Sequence, residues 1–163
     1  MYCRPELRNQ LRLRQFGWAM RESPYAFESD SWEPAQSARR FESGTPNMLG
    51  IHAMEASLSL FEELGMDFVE RRLAENIAFL ENGLQGIPGI EVVTSPDPAK
   101  RAGILTFRHP GPPAKALHAE LMKNRVICAA RANGIRLAPH FYTPRPTLES
   151  ALDRIRQAIQ TLI

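Results

Sequence analysis

The chain has 163 residues, 44% of them hydrophobic and 23% charged, with a formal net charge of +2. This length allows one domain with a real core, and the composition is ordinary for a globular protein. No stretch approaches the roughly 20 consecutive apolar residues that a membrane helix needs, and the first residues lack the apolar segment of a secretory signal. Cys3 and Cys128 are too few for a disulfide framework, so we expect reduced thiols in a cytoplasmic protein.

Arginine dominates the basic residues, with 17 of the 20 Lys and Arg positions, and five arginines fall within the first 21 residues. Such a segment is compatible with nucleic-acid binding, but no helix-turn-helix, RNA-binding or zinc-finger pattern accompanies it. Guanidinium groups serve equally well at a dimer interface or on a solvated face. The four histidines stand far apart and form no ligand pair. We therefore expect no nucleic-acid partner and no metal site.

The first 43 residues predict little regular structure. A short helix is expected from Pro5 to Leu11, followed by a long loop over residues 12–43. Loops of this length in compact domains are usually functional or disordered, and the aromatic content argues against disorder. The aromatic residues either form an interface or cover the core of this chain, and both alternatives predict that part of the surface is exposed. They are Phe16, Trp18, Tyr25, Phe27 and Trp32.

The sequence Gly44-Thr45-Pro46 predicts the start of the next helix. Glycine adopts backbone angles closed to other residues, a threonine hydroxyl can cap a helix, and proline suits the first helical position. A helix start of this kind also offers free N–H groups to an anion such as phosphate. Taken alone, the tripeptide is equally explained as a simple cap.

The remainder of the chain predicts an α+β fold. Apolar residues recur every three or four positions from Pro46 to Leu64 and again from Val69 to Leu84, and we assign both stripes to the core. Strands are predicted at 90–94, 104–108, 126–130 and 135–138, with helices at 114–123 and 148–162. This order predicts helices on one face of a small, mostly antiparallel sheet.

Two ordered strings resemble a known family. Arg-Phe-Glu-Ser-Gly-Thr-Pro-Asn at 40–47 closely resembles the signature of class V aminotransferases, the pyridoxal-phosphate group that includes cysteine desulfurases and isopenicillin-epimerase-like enzymes. Gly-Ile-Arg-Leu-Ala-Pro-His-Phe-Tyr at 134–142 resembles the late strand of that family. The resemblance implies a homodimer of pyridoxal-phosphate fold type I. In it, residues 46–163 form the C-terminal small domain with its linking helix, and residues 1–45 form a large-domain remnant with an interface loop.

The resemblance also implies the roles of particular residues. Gly44 and Thr45 would contact the cofactor phosphate of the partner subunit. Arg136 would clamp the substrate carboxylate, with Arg131 as a second arginine near the same pocket. The planar guanidinium fork matches a carboxylate in a way that lysine does not. From the residues alone, each arginine is equally compatible with a structural ion pair.

A catalytic lysine is not apparent. Lys100, Lys115 and Lys123 are the only lysines, and none carries the sequence that the family places around its Schiff-base lysine. The resemblance implies that this lysine, the ring-stacking histidine and the aspartate at the pyridine nitrogen belong to an upstream half. Cys128 falls inside a predicted apolar strand, unlike the loop cysteine of desulfurases, so we expect an inert core thiol.

We therefore expect a C-terminal portion of a pyridoxal-phosphate-dependent class V enzyme that acts on an amino acid or related amine. The chain alone would bind cofactor phosphate and substrate carboxylate, contain no catalytic residue and be inactive. The alternative is a free-standing, non-catalytic small domain that binds a partner chain or a carboxylate ligand.

Overall fold

The structure is a computed structural model that describes residues 2–30 and 32–163. The chain divides into two compact units, Met1–Leu58 and Ser59–Ile163. None of the helices in the described ranges is long and apolar enough to cross a membrane. The helices are α1 (Pro5–Arg8), α2 (Met48–Leu64), α3 (Met66–Gln85), α4 (Ala114–Lys123) and α5 (Arg145–Leu162), and the strands are β1 (Glu91–Val92), β2 (Leu105–Arg108), β3 (Ala129–Arg131) and β4 (Gly134–Leu137).

The second unit is built on a four-stranded antiparallel sheet with the strand order β1-β2-β4-β3. Side chains alternate between its faces, so Phe107 and Ile135, which pair directly, point the same way and are both fully buried. The predicted α+β fold, with helices against a small antiparallel sheet, is confirmed. The core combines one face of the sheet with α3, α4 and α5, and its largest fully buried side chains include Leu80, Leu84, Leu105, Phe107, Leu117, Leu121, Ile135 and Ile155.

Helices α3 and α5 bury the apolar stripes predicted for them. Leu80 and Leu84 of α3 are buried, as are Leu152 and Ile155 of α5. The two helices approach closely at Gly83, where an added Cβ would lie 2.2 Å from Leu152 Cδ1. Pro144 and Pro146 lie at the start of α5, where a missing N–H does little harm, as the sequence predicts.

Helix α2 differs from this pattern. All 17 of its residues are described and none is buried. Leu49, Met54 and Leu58 are 83%, 59% and 53% exposed. The prediction that this stripe belongs to the core is therefore wrong for this chain. Apolar periodicity shows that a helix has a face to cover, but it does not show which polypeptide covers it.

Strands β1, β2 and β3 are shorter than predicted, while β4 has the predicted length and begins one residue earlier; β1 shows why a strand can end early. Val93 N and Thr94 N both donate to Thr106 O, at 2.8 and 3.3 Å, so two residues face one and the regular ladder ends at Val92. Thr94 Oγ1 also accepts a hydrogen bond from Thr106 N at 2.8 Å. Strand β3 likewise begins at Ala129 rather than at residue 126, and α1 ends at Arg8 rather than at Leu11.

Asn47, not Thr45, caps α2. Gly50 N donates to Asn47 Oδ1 at 2.9 Å, and Ile51 N makes the first helical bond to Asn47 O at 2.9 Å. This is the geometry of an N-cap residue whose side chain satisfies the third helical N–H. The expectation that Thr45 caps the helix and that Pro46 begins it is wrong. The Thr45 hydroxyl is consequently not used by α2.

The assignment of Asn47 as the N-cap of α2 can be tested by mutation. Replacing Asn47 with alanine removes an acceptor from a free helical N–H and should lower helix stability by about 1 kcal/mol. Thr45→Ala is the matched control and should leave the stability of α2 unchanged. Thermal unfolding followed by circular dichroism at 222 nm checks both variants. Equal destabilisation by the two substitutions would contradict the assignment of the cap.

Candidate cofactor and substrate site

Arginine side chains hold the irregular first unit together. Arg39 Nη2 donates to the carbonyl oxygens of Arg21 and Glu22 at 3.1 and 2.8 Å, and Arg8 Nη1 donates to Gln36 O at 3.3 Å. Arg21 donates in the same way to Ala26 O and Ser29 O, both at 3.2 Å. Buried apolar side chains are few here, namely Cys3, Met20 and Ala35. The arginines therefore satisfy loop carbonyls that lack a partner in regular secondary structure.

The loop that carries Thr45 is set by a close backbone contact. A Cβ on Gly17 would lie 1.8 Å from Ser43 O, so only glycine at position 17 permits this approach. Arg40 Nη1 also hydrogen-bonds Asn9 Oδ1. Sequence reasoning did not identify Gly17, because nothing in the local pattern shows that residues 17 and 43 are in contact. These contacts fix the backbone immediately before Gly44 and Thr45.

Gly44 and Thr45 offer several hydrogen-bond donors. Thr45 is exposed, Gly44 is half-buried, and their backbone N–H groups and the Thr45 hydroxyl bond to none of the described residues. An exposed hydroxyl beside two free N–H groups is a donor set that suits a phosphate. The residues present therefore fit the phosphate group of a cofactor.

Arg136 and Arg131 lie on one face of the sheet. Arg136 on β4 pairs with Thr106 on β2 and with Ala129 on β3, and Arg131 pairs with Gly134. Because directly paired residues share a face and the period along a strand is two, both arginines point away from the helices. The structure therefore brings these two predicted site residues together. Gly44 and Thr45 belong to the first compact unit.

The Arg136 guanidinium has no polar partner within the part of the chain that the structure describes. Arg136 is half-buried, and its side chain makes no hydrogen bond or ion pair with any residue in the described ranges 2–30 and 32–163. Arg131 is exposed, and its Nη1 donates only to the neighbouring Ala130 O at 3.3 Å. The small Ala129 beside Arg136 leaves its guanidinium accessible. A bidentate carboxylate ligand would supply the missing acceptors.

A third arginine on this face is already paired. Arg108 donates from Nε and Nη2 to the two carboxylate oxygens of Glu91, at 2.8 and 2.6 Å. The hydrogen bond from Arg108 lowers the pKa of Glu91, and the same bond raises the pKa of Arg108. The alternative role for a strand arginine, a structural ion pair within the protein, thus holds for Arg108. Arg136 has no such partner among the described residues.

The segment after β4 is held by a buried polar residue that sequence reasoning missed. Asn76 of α3 is buried, and its Nδ2 donates to His140 O at 3.0 Å. The ring of Phe61 packs edge-on against Phe141 with centroids 5.5 Å apart. The sequence signal that could have identified this residue is the presence of an asparagine within the apolar stripe of α3. Asn76 fixes the end of the string that resembles the family's late strand.

The surroundings of the lysines and of Cys128 bear on their reactivity. All three lysines are exposed; Lys100 forms an ion pair with Asp97 and Lys123 with Glu120. Cys128 lies just before β3 rather than within a strand. It is half-buried, and burial raises the pKa of its thiol. A raised pKa reduces the thiolate fraction and so lowers nucleophilicity at neutral pH, in agreement with the expectation of an inert thiol.

A match across most of the chain decides its family. The sequence model described as aminotransferase class-V matches residues 1–143, which include both strings that carry the resemblance. The chain belongs to the class V aminotransferase family. The uncharacterized aminotransferase YcbU of Bacillus subtilis strain 168 is 33% identical over 167 residues, covering 95% of this chain and 40% of that protein.

Solved structures of other proteins share the fold of this chain. The cysteine desulfurase CsdA from Escherichia coli matches with a TM-score of 0.82 at 16% identity, covering 99% of this chain and 42% of that chain. C-DES, solved with glycine covalently linked to its pyridoxal phosphate cofactor, matches with a TM-score of 0.79 at 22% identity, covering 95% and 40%. The class V chain described here thus spans about 40% of the length of these relatives.

The ion pair between Arg108 and Glu91 predicts how the stability of the chain depends on pH. Because the folded pKa of Glu91 is lowered, the stabilisation from this carboxylate is present above its unfolded pKa and is lost as the pH falls through the folded value. Arg108→Gln should raise the Glu91 pKa towards its ordinary value and weaken this acid dependence. NMR titration of the Glu91 carboxyl carbon measures the shift. An unchanged pKa in the variant would contradict the assigned cause.

Proposed function

We propose that this chain supplies part of the active centre of a pyridoxal-phosphate-dependent class V enzyme that acts on an amino acid or related amine. Gly44 and Thr45 bind the cofactor phosphate, and Arg136 with Arg131 binds the substrate carboxylate. The lysine that attaches the cofactor is absent from this chain, so the chain alone is inactive. Residues 46–163 act as the C-terminal small domain, and residues 1–45 as an interface loop with a remnant of the large domain.

The observation that carries this proposal is the unpaired guanidinium of Arg136. Arg108 on the same face is neutralised by Glu91, whereas Arg136 and Arg131 contribute two positive charges without a carboxylate partner in the described residues. A half-buried guanidinium without an acceptor loses hydrogen bonds that water would otherwise provide. A substrate carboxylate restores them with fixed geometry.

The loop at Gly44 and Thr45 supports the cofactor assignment. Its free N–H groups and hydroxyl offer neutral donors to a phosphate, and Gly17 and Arg40 hold the preceding backbone. Pyridoxal phosphate, when bound, supplies an electron-withdrawing ring that facilitates bond cleavage at the amino acid. The part played by this chain is to bind and orient: the threonine loop binds the phosphate, and the arginines align the carboxylate.

The exposed lysines support the view that the attachment residue lies elsewhere. A cofactor lysine works when burial or a cationic neighbour lowers its pKa. Lys100 and Lys123 instead lie beside carboxylates on the surface, and Lys115 is exposed on α4.

Assembly into a homodimer in the cytoplasm is part of the proposal. The apolar residues of α2 are exposed in this chain, which supports burial of that helix in a larger assembly. The two cysteines are free thiols, in keeping with a reducing compartment.

A non-catalytic small domain is the second candidate, favoured by the same unpaired Arg136 and by the exposed α2. Such a domain would bind a carboxylate ligand or a partner chain without chemistry. Activity separates the two candidates. Under the first proposal, this segment together with the half that carries the attachment lysine turns over an amino acid. Under the second, the free-standing chain binds a carboxylate ligand or a partner chain and no turnover appears when such a half is supplied.

Borohydride trapping tests the absence of the attachment lysine. When the purified 163-residue chain is mixed with pyridoxal phosphate and reduced, we expect weak labelling spread over the three exposed lysines, because none is set apart by its surroundings. Mass spectrometry of the digested chain measures the distribution. Labelling concentrated on one lysine, accompanied by a cofactor absorption band and abolished by its replacement with alanine, would contradict the proposal.

Substitution of Arg136 tests the substrate role. In a full-length class V protein that carries this segment, Arg136→Ala should raise KM for a carboxylate substrate by about 10- to 100-fold, as expected for loss of charge-assisted hydrogen bonds of about 1.5–3 kcal/mol. The cofactor absorption should stay unchanged. Arg108→Ala is the control on the same face and should leave KM nearly unaltered. Loss of bound cofactor from the Arg136 variant would show that its role is misassigned.

A further inference from the structure

The second unit contains a cavity that the proposed function does not use. It has a volume of about 540 Å³ and lies where the start of α5 meets the turn after α4 and the end of β4. This volume is within the range of small-molecule sites. Leu137 lines the cavity, and Leu137 alternates with Arg136 along β4. The cavity is therefore on the helix side of the sheet, away from the face that carries Arg136 and Arg131.

The cavity combines an apolar floor with a cationic rim. Leu80, Val126 and Leu148 form part of the floor, and Arg125 and Arg154 stand at the rim. The described residues that line it include no aspartate or glutamate. Two acidic side chains on neighbouring turns are paired with other cations: Glu120 with Lys123 at 3.5 Å, and Asp153 with Arg156 at 2.9 Å. Glu149 of α5 is exposed and does not line the cavity. The rim thus carries two positive charges over an apolar floor.

Arg125 occupies a backbone position that favours glycine. Its φ is +60°, its N–H bonds to Met122 O at 3.0 Å, and the next N–H, that of Val126, bonds to Leu121 O at 2.9 Å. This pair of bonds is a Schellman motif ending α4, and the left-handed residue in that motif is usually glycine because a Cβ is strained there. A guanidinium at this position therefore needs an explanation other than folding.

Arg154 is fixed to the same turn. Its Nη1 donates to Asn124 O at 2.7 Å, which leaves its remaining donors for another acceptor. The guanidinium of Arg125 bonds to none of the described residues. Two guanidinium groups at one rim, one fixed and one unpaired, match the planar acceptor pair of a carboxylate.

We propose that this cavity binds a small organic carboxylate of about six carbons in all, the carboxyl carbon included, a size that such cavities accommodate. The carboxylate contacts Arg125 and Arg154 at the rim, and the apolar body lies against Leu80, Val126 and Leu148. This site is separate from the carboxylate site at Arg136 and does not rest on the proposed function.

Titration of the 163-residue chain with hexanoate, followed by two-dimensional NMR, tests the site. Hexanol keeps the apolar body without the charge, and acetate keeps the charge without the body. We expect saturable shifts of residues around the cavity with hexanoate, and at least tenfold weaker binding of either control probe. A dissociation constant for hexanoate above about 10 mM would overturn the proposal.

The Arg125→Gly variant distinguishes an effect on hexanoate binding from an effect on the stability of the fold. Because glycine suits the left-handed position, this variant should unfold at the same temperature as the parent chain or a higher one, while hexanoate binding falls at least tenfold. Arg154→Ala should weaken binding similarly. Lys115→Ala is the control with the same change in net charge, because this exposed lysine of α4 does not line the cavity, and the variant should bind hexanoate as the parent chain does.

Three results would count against the site. Equal affinity for hexanol and hexanoate would show an apolar groove suited to a polypeptide segment instead of an anion site. Binding unchanged in both Arg125→Gly and Arg154→Ala would remove the rim from the proposal. Hexanoate shifts confined to the surroundings of Arg136, and lost in Arg136→Ala, would place the carboxylate at the other face of the sheet.

Discussion

The antiparallel register of β2, β4 and β3 is the constraint on which the second unit depends. It places Ile135 and Leu137 in the core and Arg136 between them on the opposite face. A slip of one residue would exchange these faces, burying the guanidinium and exposing the apolar side chains. Gly134 helps to hold the strands close, because a Cβ there would lie 2.3 Å from Phe107 O. The pairing that builds the core therefore also presents Arg136, the arginine proposed to bind a carboxylate, and one cannot change without the other.

The arginine-rich composition has a largely structural explanation. Arg39 and Arg21 satisfy loop carbonyls, and Arg101 forms a half-buried ion pair with Glu81, with Nη2 2.9 Å from Oε1. Guanidinium groups suit this task because they offer five donors in a fixed plane. Arg136 and Arg125 have no hydrogen-bond acceptor among the described residues, but the same is true of Arg4, Arg12, Arg14, Arg71 and Arg145. Arg136 differs from all of these in being half-buried, and Arg125 differs in its left-handed backbone position. These features, and not positive charge as such, distinguish the two arginines that we assign to ligands.

The sequence predicted the fold where periodicity was strong and local. The apolar repeat of α5 and the run at 114–123 gave the right elements, because a helix that packs within its own unit must repeat its apolar residues every three or four positions. The exposure of α2 was not predictable in this way. The cap was missed because both threonine and asparagine favour the position, and the choice depends on where the chain enters the helix. Local sequence patterns do not contain contacts between residues that are distant in the chain. The roles of Gly17, Asn76 and Arg125 depend on such contacts, so they could not be predicted. The arginines at 131 and 136 were identified through the resemblance, and their common face follows from the register.

Helix α2 has a consequence for the dynamics of this chain. Helix α2 has no buried side chain, and apart from the packing of Phe61 against Phe141 it depends largely on its backbone bonds and its cap; isolated helices of this length are marginal in water. Its amide hydrogens would therefore exchange with solvent through local opening at a lower free energy than those of α3 or α5, which are anchored in the core. Fraying from the N-terminal turn at Asn47 would directly loosen the adjoining Gly44-Thr45 loop. A phosphate held by that loop, or a surface that covers α2, would damp this motion, so ordering of the helix and ligand capture would be thermodynamically linked.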